Sequence, residues 1–181
     1  GFGILKELHS GLNVTIKDLA TLMIILSDNT ATNILIDILG IENINQTTNN
    51  LGLKDTKLQR KMMDTEAAKK GLDNFTSPLD VSKLLEHFIN GQELSQNSRE
   101  EIIDILKRQQ CNNKLPVNLP KDIQLAHKTG DLPGIEHDVG ILYLKDRPII
   151  IVVMTKNLKD NKDGILFNNM IGEAVYNYFN K

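Results

Sequence analysis

Leu19-Ala20-Thr21-Leu22-Met23-Ile24-Ile25-Leu26-Ser27-Asp28-Asn29-Thr30-Ala31-Thr32-Asn33-Ile34-Leu35-Ile36 is the stretch on which the fold turns. Two apolar runs flank the polar triplet Ser27-Asp28-Asn29. Thr15 precedes Ile16, Leu19, Leu22 and Met23 at helical spacing, which predicts a helix with Thr15 as its N-cap. Ala31, Ile34, Leu35, Ile38 and Leu39 form a second apolar stripe, closed by Gly40. The triplet therefore lies at a helix junction, where a hydroxyl, a carboxylate and an amide can point into one cleft.

Working outward, Ile4 to Leu8 makes one short amphipathic turn before that pair, and Glu42 to Asn50 reads as a third, weaker helix ended by Gly52. Residues 53–77 are polar with little apolar periodicity, as in a functional loop. Pro78 follows Ser77 at a good first helical position, and Leu79, Val81, Leu84, Leu85, Phe88 and Ile89 continue at helical spacing. Ser98 and Glu101 have capping-box spacing before Ile102, Ile103, Ile105 and Leu106. From Leu115 the pattern changes. Strands are predicted over 122–129, 139–144 and 149–155, rich in Ile, Val and Leu. Lys145-Asp146-Arg147-Pro148 is a short turn, so the last two strands should be antiparallel. A helix over 164–179 ends the chain. The expected organisation is one α+β domain over 1–181, helical over about 1–114 and built from strands and a final helix over about 115–181.

The chain has 181 residues, 40% hydrophobic and 24% charged, which is ordinary for a globular domain. A net charge of −2 gives no chain-wide attraction to nucleic acid or anionic membrane. Cys111 is the one cysteine, so no intrachain disulfide can form, and the four histidines show no ligand spacing. Neither a metal nor a cofactor is expected. The longest apolar run, Ile149 to Met154, is too short to cross a bilayer, and no signal peptide is visible.

A second triplet, Lys128-Thr129-Gly130, comes at the end of a predicted strand. Either triplet alone is a weak signal; both, in this order and these settings, are specific. With Thr30-Ala31-Thr32-Asn33-Ile34-Leu35, the run from Gly52-Leu53 to Arg60 and His137-Asp138-Val139, they make the chain resemble class A β-lactamases and their penicillin-binding relatives from end to end. The resemblance implies a β-lactamase/transpeptidase-like fold, a helical domain set into an α/β domain with an antiparallel sheet. It implies a serine acyl-enzyme acting on a β-lactam or a cell-wall peptide outside the cytoplasm. Ser27 would relay a proton to the leaving nitrogen, and Asn29 would orient the substrate amide. Asp28 would be structural, bonding amides at the helix start. Lys128 would supply positive charge for a substrate carboxylate, and Thr129 a hydroxyl beside it. Gly130 would let the substrate lie close, and the Asp131 amide would serve as an oxyanion-hole donor.

Two departures matter. The family's nucleophile stands in Ser-x-x-Lys, yet Ser10, Ser27, Ser77, Ser82, Ser95 and Ser98 are followed at the third position by Asn13, Thr30, Asp80, Leu85, Ser98 and Glu101. The resemblance thus implies that the nucleophile lies in an N-terminal segment outside this chain. That segment, or another copy pairing along 149–154, would complete the fold. In the family's long loop, Arg-x-Glu supplies the base that activates the deacylating water. Here Arg60-Lys61-Met62-Met63 puts Met62, or Met63 after a one-residue slip, at the base position. A thioether is no useful proton acceptor. Asp64 and Glu66 are the alternative bases, and Arg60 with Asp73 would close the loop. His127 and His137 are read as a packing or hydrogen-bonding group and a strand-start residue. The leading expectation is a β-lactam-opening hydrolase with impaired deacylation. The alternatives are a penicillin-binding or peptidase relative with little turnover, and a non-catalytic binding domain.

Overall fold

The computed structural model describes residues 2–145 and 147–181. The chain divides into two compact units, the first ending at Leu84 and the second running Leu85–Lys181.

In the first unit a 3-10 turn at Leu5–Glu7 precedes α1 (Ile16–Ile25). Thr15 caps α1 reciprocally: its hydroxyl accepts the Asp18 amide at 3.1 Å, and its own amide donates to Asp18 Oδ2 at 2.9 Å. α2 (Asn29–Leu39) follows, and Gly40, at φ 79°, ends α2 and opens α3 (Ile41–Asn50). A left-handed residue at that point is what lets two helices follow without a linker. Leu19 of α1 and Ala31 and Leu35 of α2 form the buried centre, with Leu5, Val14, Met23 and Ile34 around it. The polar stretch 53–77 is not structureless. It folds back on itself, Lys57 and Phe75 exchanging backbone hydrogen bonds of 2.9 and 3.0 Å, and it carries the short helix α4 (Thr65–Lys69).

The unit boundary falls inside α5 (Pro78–Asn90). The second unit continues with α6 (Gln96–Lys107). Its N-cap is Ser95, not Ser98: the Ser98 amide donates to Ser95 Oγ at 3.1 Å. The helix starts one turn early because two serines three apart both offer a cap, and the outer one gains an extra turn.

The sheet has the order β1-β2-β3, antiparallel throughout, with β1 at Gln124–Leu132, β2 at Ile135–Tyr143 and β3 at Pro148–Met154. β1 runs past its predicted end, so Lys128-Thr129-Gly130 lies within the strand rather than closing it. Pro133-Gly134 makes the two-residue turn, Gly134 at φ 75° supplying the positive φ that a Pro-Gly turn needs. His137 is accordingly the third residue of β2 rather than a strand start. Asp122 lies before β1 in a turn, where the Ile123 amide donates to the Pro120 carbonyl at 3.0 Å. At the next connection the Leu144 amide donates to the Arg147 carbonyl at 3.3 Å; Asp146 of that predicted turn lies outside the described residues. α7 (Asn161–Phe179) is capped by Asp160, three residues ahead of the predicted start. Leu115, Leu125, Leu142, Ile151 and Val153 form the core, and Ile171, Val175 and Tyr176 of α7 cover it.

α7 lies tight against the residues before β1 at Gly172, where an added Cβ would collide with the Leu115 carbonyl. Alanine would gain about 1 kcal/mol of helix propensity. Overlap with a backbone atom that cannot rotate away costs about 1–3 kcal/mol or more. Gly172→Ala is therefore expected to lower stability by up to about 2 kcal/mol net in urea denaturation.

Candidate functional site

The site residues fall into two sets, one in each unit. In the first, α1 stops where Leu26 turns out of the helix and Ser27 adopts φ 51°. A left-handed backbone is uncommon for serine and holds about 1–3 kcal/mol of strain. It is held by its neighbour. The Asp28 amide reaches back to the Leu22 carbonyl at 3.2 Å, and the Asp28 carboxylate is fully buried. Oδ1 accepts the Ala31 amide at 2.9 Å, capping α2, while Oδ2 accepts the amides of Ile4 and Leu5 at 2.7 and 2.8 Å. The Asn29 amide donates to the Phe2 carbonyl at 3.0 Å. Gly3 passes so close that a Cβ would overlap the Asp28 carboxyl group. Burial alone would raise the Asp28 pKa, but the amides of Leu5, Ala31, Ile4 and Thr30 outweigh it and hold the carboxyl below its ordinary 3.8. Ser27 and Asn29, both half-buried, are thus carried on either side of a fixed anion.

One turn along α2, Asn33 clamps the loop. Its Oδ1 accepts the Met62 amide at 2.8 Å and its Nδ2 donates to the Met62 carbonyl at 3.1 Å. Both amide functions of one side chain are spent on one residue. Met62 is half-buried; Met63, at φ 64°, is 60% exposed. Arg60 donates through Nε and Nη2 to Asp73 Oδ1 at 3.0 and 2.7 Å. Asn74 Oδ1 accepts the amides of Gln59 and Arg60 at 2.8 and 3.1 Å. The Asn74 amide and then the Arg60 guanidinium hold the Asp73 pKa below its ordinary value. Two further loop carboxylates are exposed and engaged: Asp64 caps α4, and Glu66 pairs with Lys69 at 2.8 Å.

The second set lies along β1. Lys128 and Gly130 share one face; Thr129 and Asp131 share the other. Lys128 Nζ donates to the Thr129 carbonyl at 2.7 Å. Burial pushes its pKa down, against the opposing pull of Cys111, Asp131 and Asp138. Thr129 Oγ1 is buried and finds no hydrogen-bond partner among the described residues. A Cβ at Gly130 would meet only ordinary contacts with His137, so that face of the strand has room. His127 is buried, with Nδ1 at 2.8 Å from Asp138 Oδ1 and Nε2 at 3.1 Å from Asn112 Oδ1. Lys114 lies fully buried against the Asp131 carboxylate.

Sequence reasoning missed Asn33, Asn74 and Lys114. Asn33 had a signal, since it stands four residues after Asn29 on the same helix face. Lys114, a lone lysine in an aperiodic connection, had none. No three of His, Cys, Asp and Glu come together as a metal site among the described residues.

The model of the beta-lactamase enzyme family matches residues 1–179. The chain belongs to that family. It is 27% identical over 176 residues to Beta-lactamase 3 of Bacillus cereus, covering 94% of this chain and 55% of that protein. It is 31% identical over 171 residues to an imipenem-hydrolyzing β-lactamase of Enterobacter cloacae, covering 86% of this chain and 59% of that one. The chain thus spans somewhat more than half the length of these relatives. Among solved structures, a β-lactamase from Sphaerobacter thermophilus superposes with a TM-score of 0.88 at 33% identity, over 97% of this chain and 67% of that one. PBP-A does so with a TM-score of 0.88 at 31% identity, over 99% of this chain and 67% of that one. A variant of PBP-A, solved as an acyl-enzyme with penicillin G, is equally similar.

Asp28→Asn keeps the shape of the side chain but turns one acceptor oxygen into a donor facing amides. A loss of about 1.5–3 kcal/mol at neutral pH is expected. Because the folded-state pKa is depressed, the wild-type carboxylate contributes its full stability above 3.8 and loses it as pH falls through the lower folded value. Melting curves against pH should show that acid limb weakened in the variant.

Proposed function

We propose that the chain works within a serine acyl-enzyme that opens β-lactams and releases the acyl group slowly. The observation that carries this is Met62, the loop residue that Asn33 clamps by both backbone groups. Deacylation requires a base that takes a proton from water as the water oxygen attacks the acyl carbonyl. Met62 offers only a thioether there. Asp64 and Glu66 are committed to the α4 cap and to Lys69.

Acylation asks for different groups, and this chain would supply all but the nucleophile. A serine oxygen from a Ser-x-x-Lys segment attacks the lactam carbonyl; the C–N bond breaks, and the ring nitrogen takes a proton relayed by Ser27. Asn29 orients the substrate amide. Lys128, whose burial leaves its charge poorly screened, attracts the substrate carboxylate. Thr129 brings a buried hydroxyl with no hydrogen-bond partner among the described residues, and the Asp131 amide donates to the developing oxyanion. Arg60 and Asp28 hold the loop and the junction in shape. On this reading the protein works outside the cytoplasm. β3 ends the sheet among the described residues, an edge along which a second copy would pair. The second reading, a penicillin-binding or peptidase relative whose natural ligand is a cell-wall peptide, is favoured by the same Met62 and by the likeness to PBP-A.

Incubating the full-length protein with fluorescent penicillin, then chasing with unlabelled drug, tests this. A stable adduct that decays slowly is expected. Rapid loss of label would mean competent hydrolysis, and no label at all would mean a binding domain without acyl chemistry. Lys128→Ala should slow labelling by about 100-fold, as expected for one electrostatic contact at the reacting edge.

A further inference from the structure

Among the described residues, Lys114 is the bulkiest side chain with no exposed surface. It belongs to the connection between α6 and β1, and nothing in the acyl-transfer scheme uses it. Its ammonium pairs with the Asp131 carboxylate and with Glu136 Oε2 at 2.7 Å. It also donates to the carbonyls of Gly130 and His137, each at 3.2 Å. These four residues are two consecutive rungs of one hairpin: Gly130 faces His137, and Asp131 faces Glu136.

That register juxtaposes two carboxylates. Like charges directly opposite on neighbouring strands destabilise a sheet. Glu136 is only 4% exposed, so water cannot screen it. Burial pushes the Asp131 pKa up, yet its contact with Glu136, the Lys114 ammonium and the charge of Lys128 hold it below its ordinary value. The other titratable neighbours are Lys128 on β1 and His137 and Asp138 on β2. α7 meets Glu136 with Gly164 and with the neutral amides of Asn161 and Asn168. Lys114 is thus the cation that both carboxylates share.

We propose that Lys114 is a positioning residue: by holding the Asp131 and Glu136 side chains side by side, its ammonium fixes the two rungs of the hairpin that present Gly130 and the Asp131 amide to substrate. It acts through those groups, being wholly enclosed and already engaged with four acceptors. The catalytic half of this proposal rests on the reading of β1 as the substrate-binding edge; the structural half does not.

The variants are Lys114→Met and the double variant Lys114→Met/Glu136→Gln. The double variant removes the cation and one carboxylate together, so the cluster keeps its net charge without the ion pair. In the full-length protein, two quantities are read. One is backbone amide exchange over residues 128–138, near neutral pH and at about pH 5. The other is penicillin acylation, split into its binding and chemical steps.

Breaking a buried pair from one side is a large perturbation, so Lys114→Met should speed exchange in this hairpin by about 100-fold near neutral pH. After correction for intrinsic rates, that excess should shrink in acid, where one carboxylate regains a proton. The chemical step of acylation should slow far more than binding weakens. The double variant should return exchange to within about threefold of wild type and recover acylation. If Lys114→Met does not fold, the double variant decides: wild-type protection supports the proposal, and a hairpin as open as in the single variant, or an unfolded protein, overturns it. Unchanged protection in Lys114→Met overturns it as well. A wild-type protein that penicillin never labels would sink the acyl-enzyme reading alone, since hydrogen exchange still decides the role of Lys114.

Discussion

One buried carboxylate sets the geometry of the first unit. Asp28 has no contact with water, and its two oxygens accept three backbone amides from two directions. Removing a carboxylate from water is expensive unless amides replace the lost hydration. Here they do, and the exchange has consequences in three places. It caps α2. It draws the backbone of residues 2–5 over the junction, close enough that only glycine fits at position 3. It also holds Ser27 in a left-handed conformation that a serine does not choose alone. The polar triplet is built as an anion with two polar side chains mounted beside it.

The same economy appears at the loop. Asn33 uses its carbonyl and its amide on the backbone of one residue, so the clamp fixes where the chain passes and is indifferent to the side chain it holds. That is a physical reason why a methionine can stand where chemistry would ask for an acid. The bonds that Asn33 makes there reach only the Met62 backbone. The clamp, the Arg60–Asp73 pair and the Asn74 bridge survive whether or not the loop can activate water.

Much of the molecule was legible in its sequence because local rules wrote it. The capping box at Thr15, the stop at Gly40, Pro78 at a first helical turn and the antiparallel pairing of the last two strands all came from short-range chemistry. The errors were of a different kind. Ser98 competed with Ser95 for a cap, and only one extra turn separated them. β1 runs on to Leu132, past the predicted end at Thr129, through Asp131, a residue type that strands disfavour. Lys114 arrives from the preceding connection to pair with Asp131 and with Glu136 opposite it. Likewise, the Asn33 clamp is invisible to periodicity, because its partner lies in the loop, far away along the chain. Side chains that act through long-range contacts leave little trace in the pattern around them.

The central claim is that the slow step is set by one side chain at a position the fold already holds. Intact-protein mass spectrometry of the full-length protein and its Met62→Glu variant after a short exposure to penicillin G addresses it directly. The wild type should stay at the mass of the acyl-enzyme long after excess drug is removed, while the variant should return to its unmodified mass. A variant that remains acylated as long as the wild type would contradict the claim.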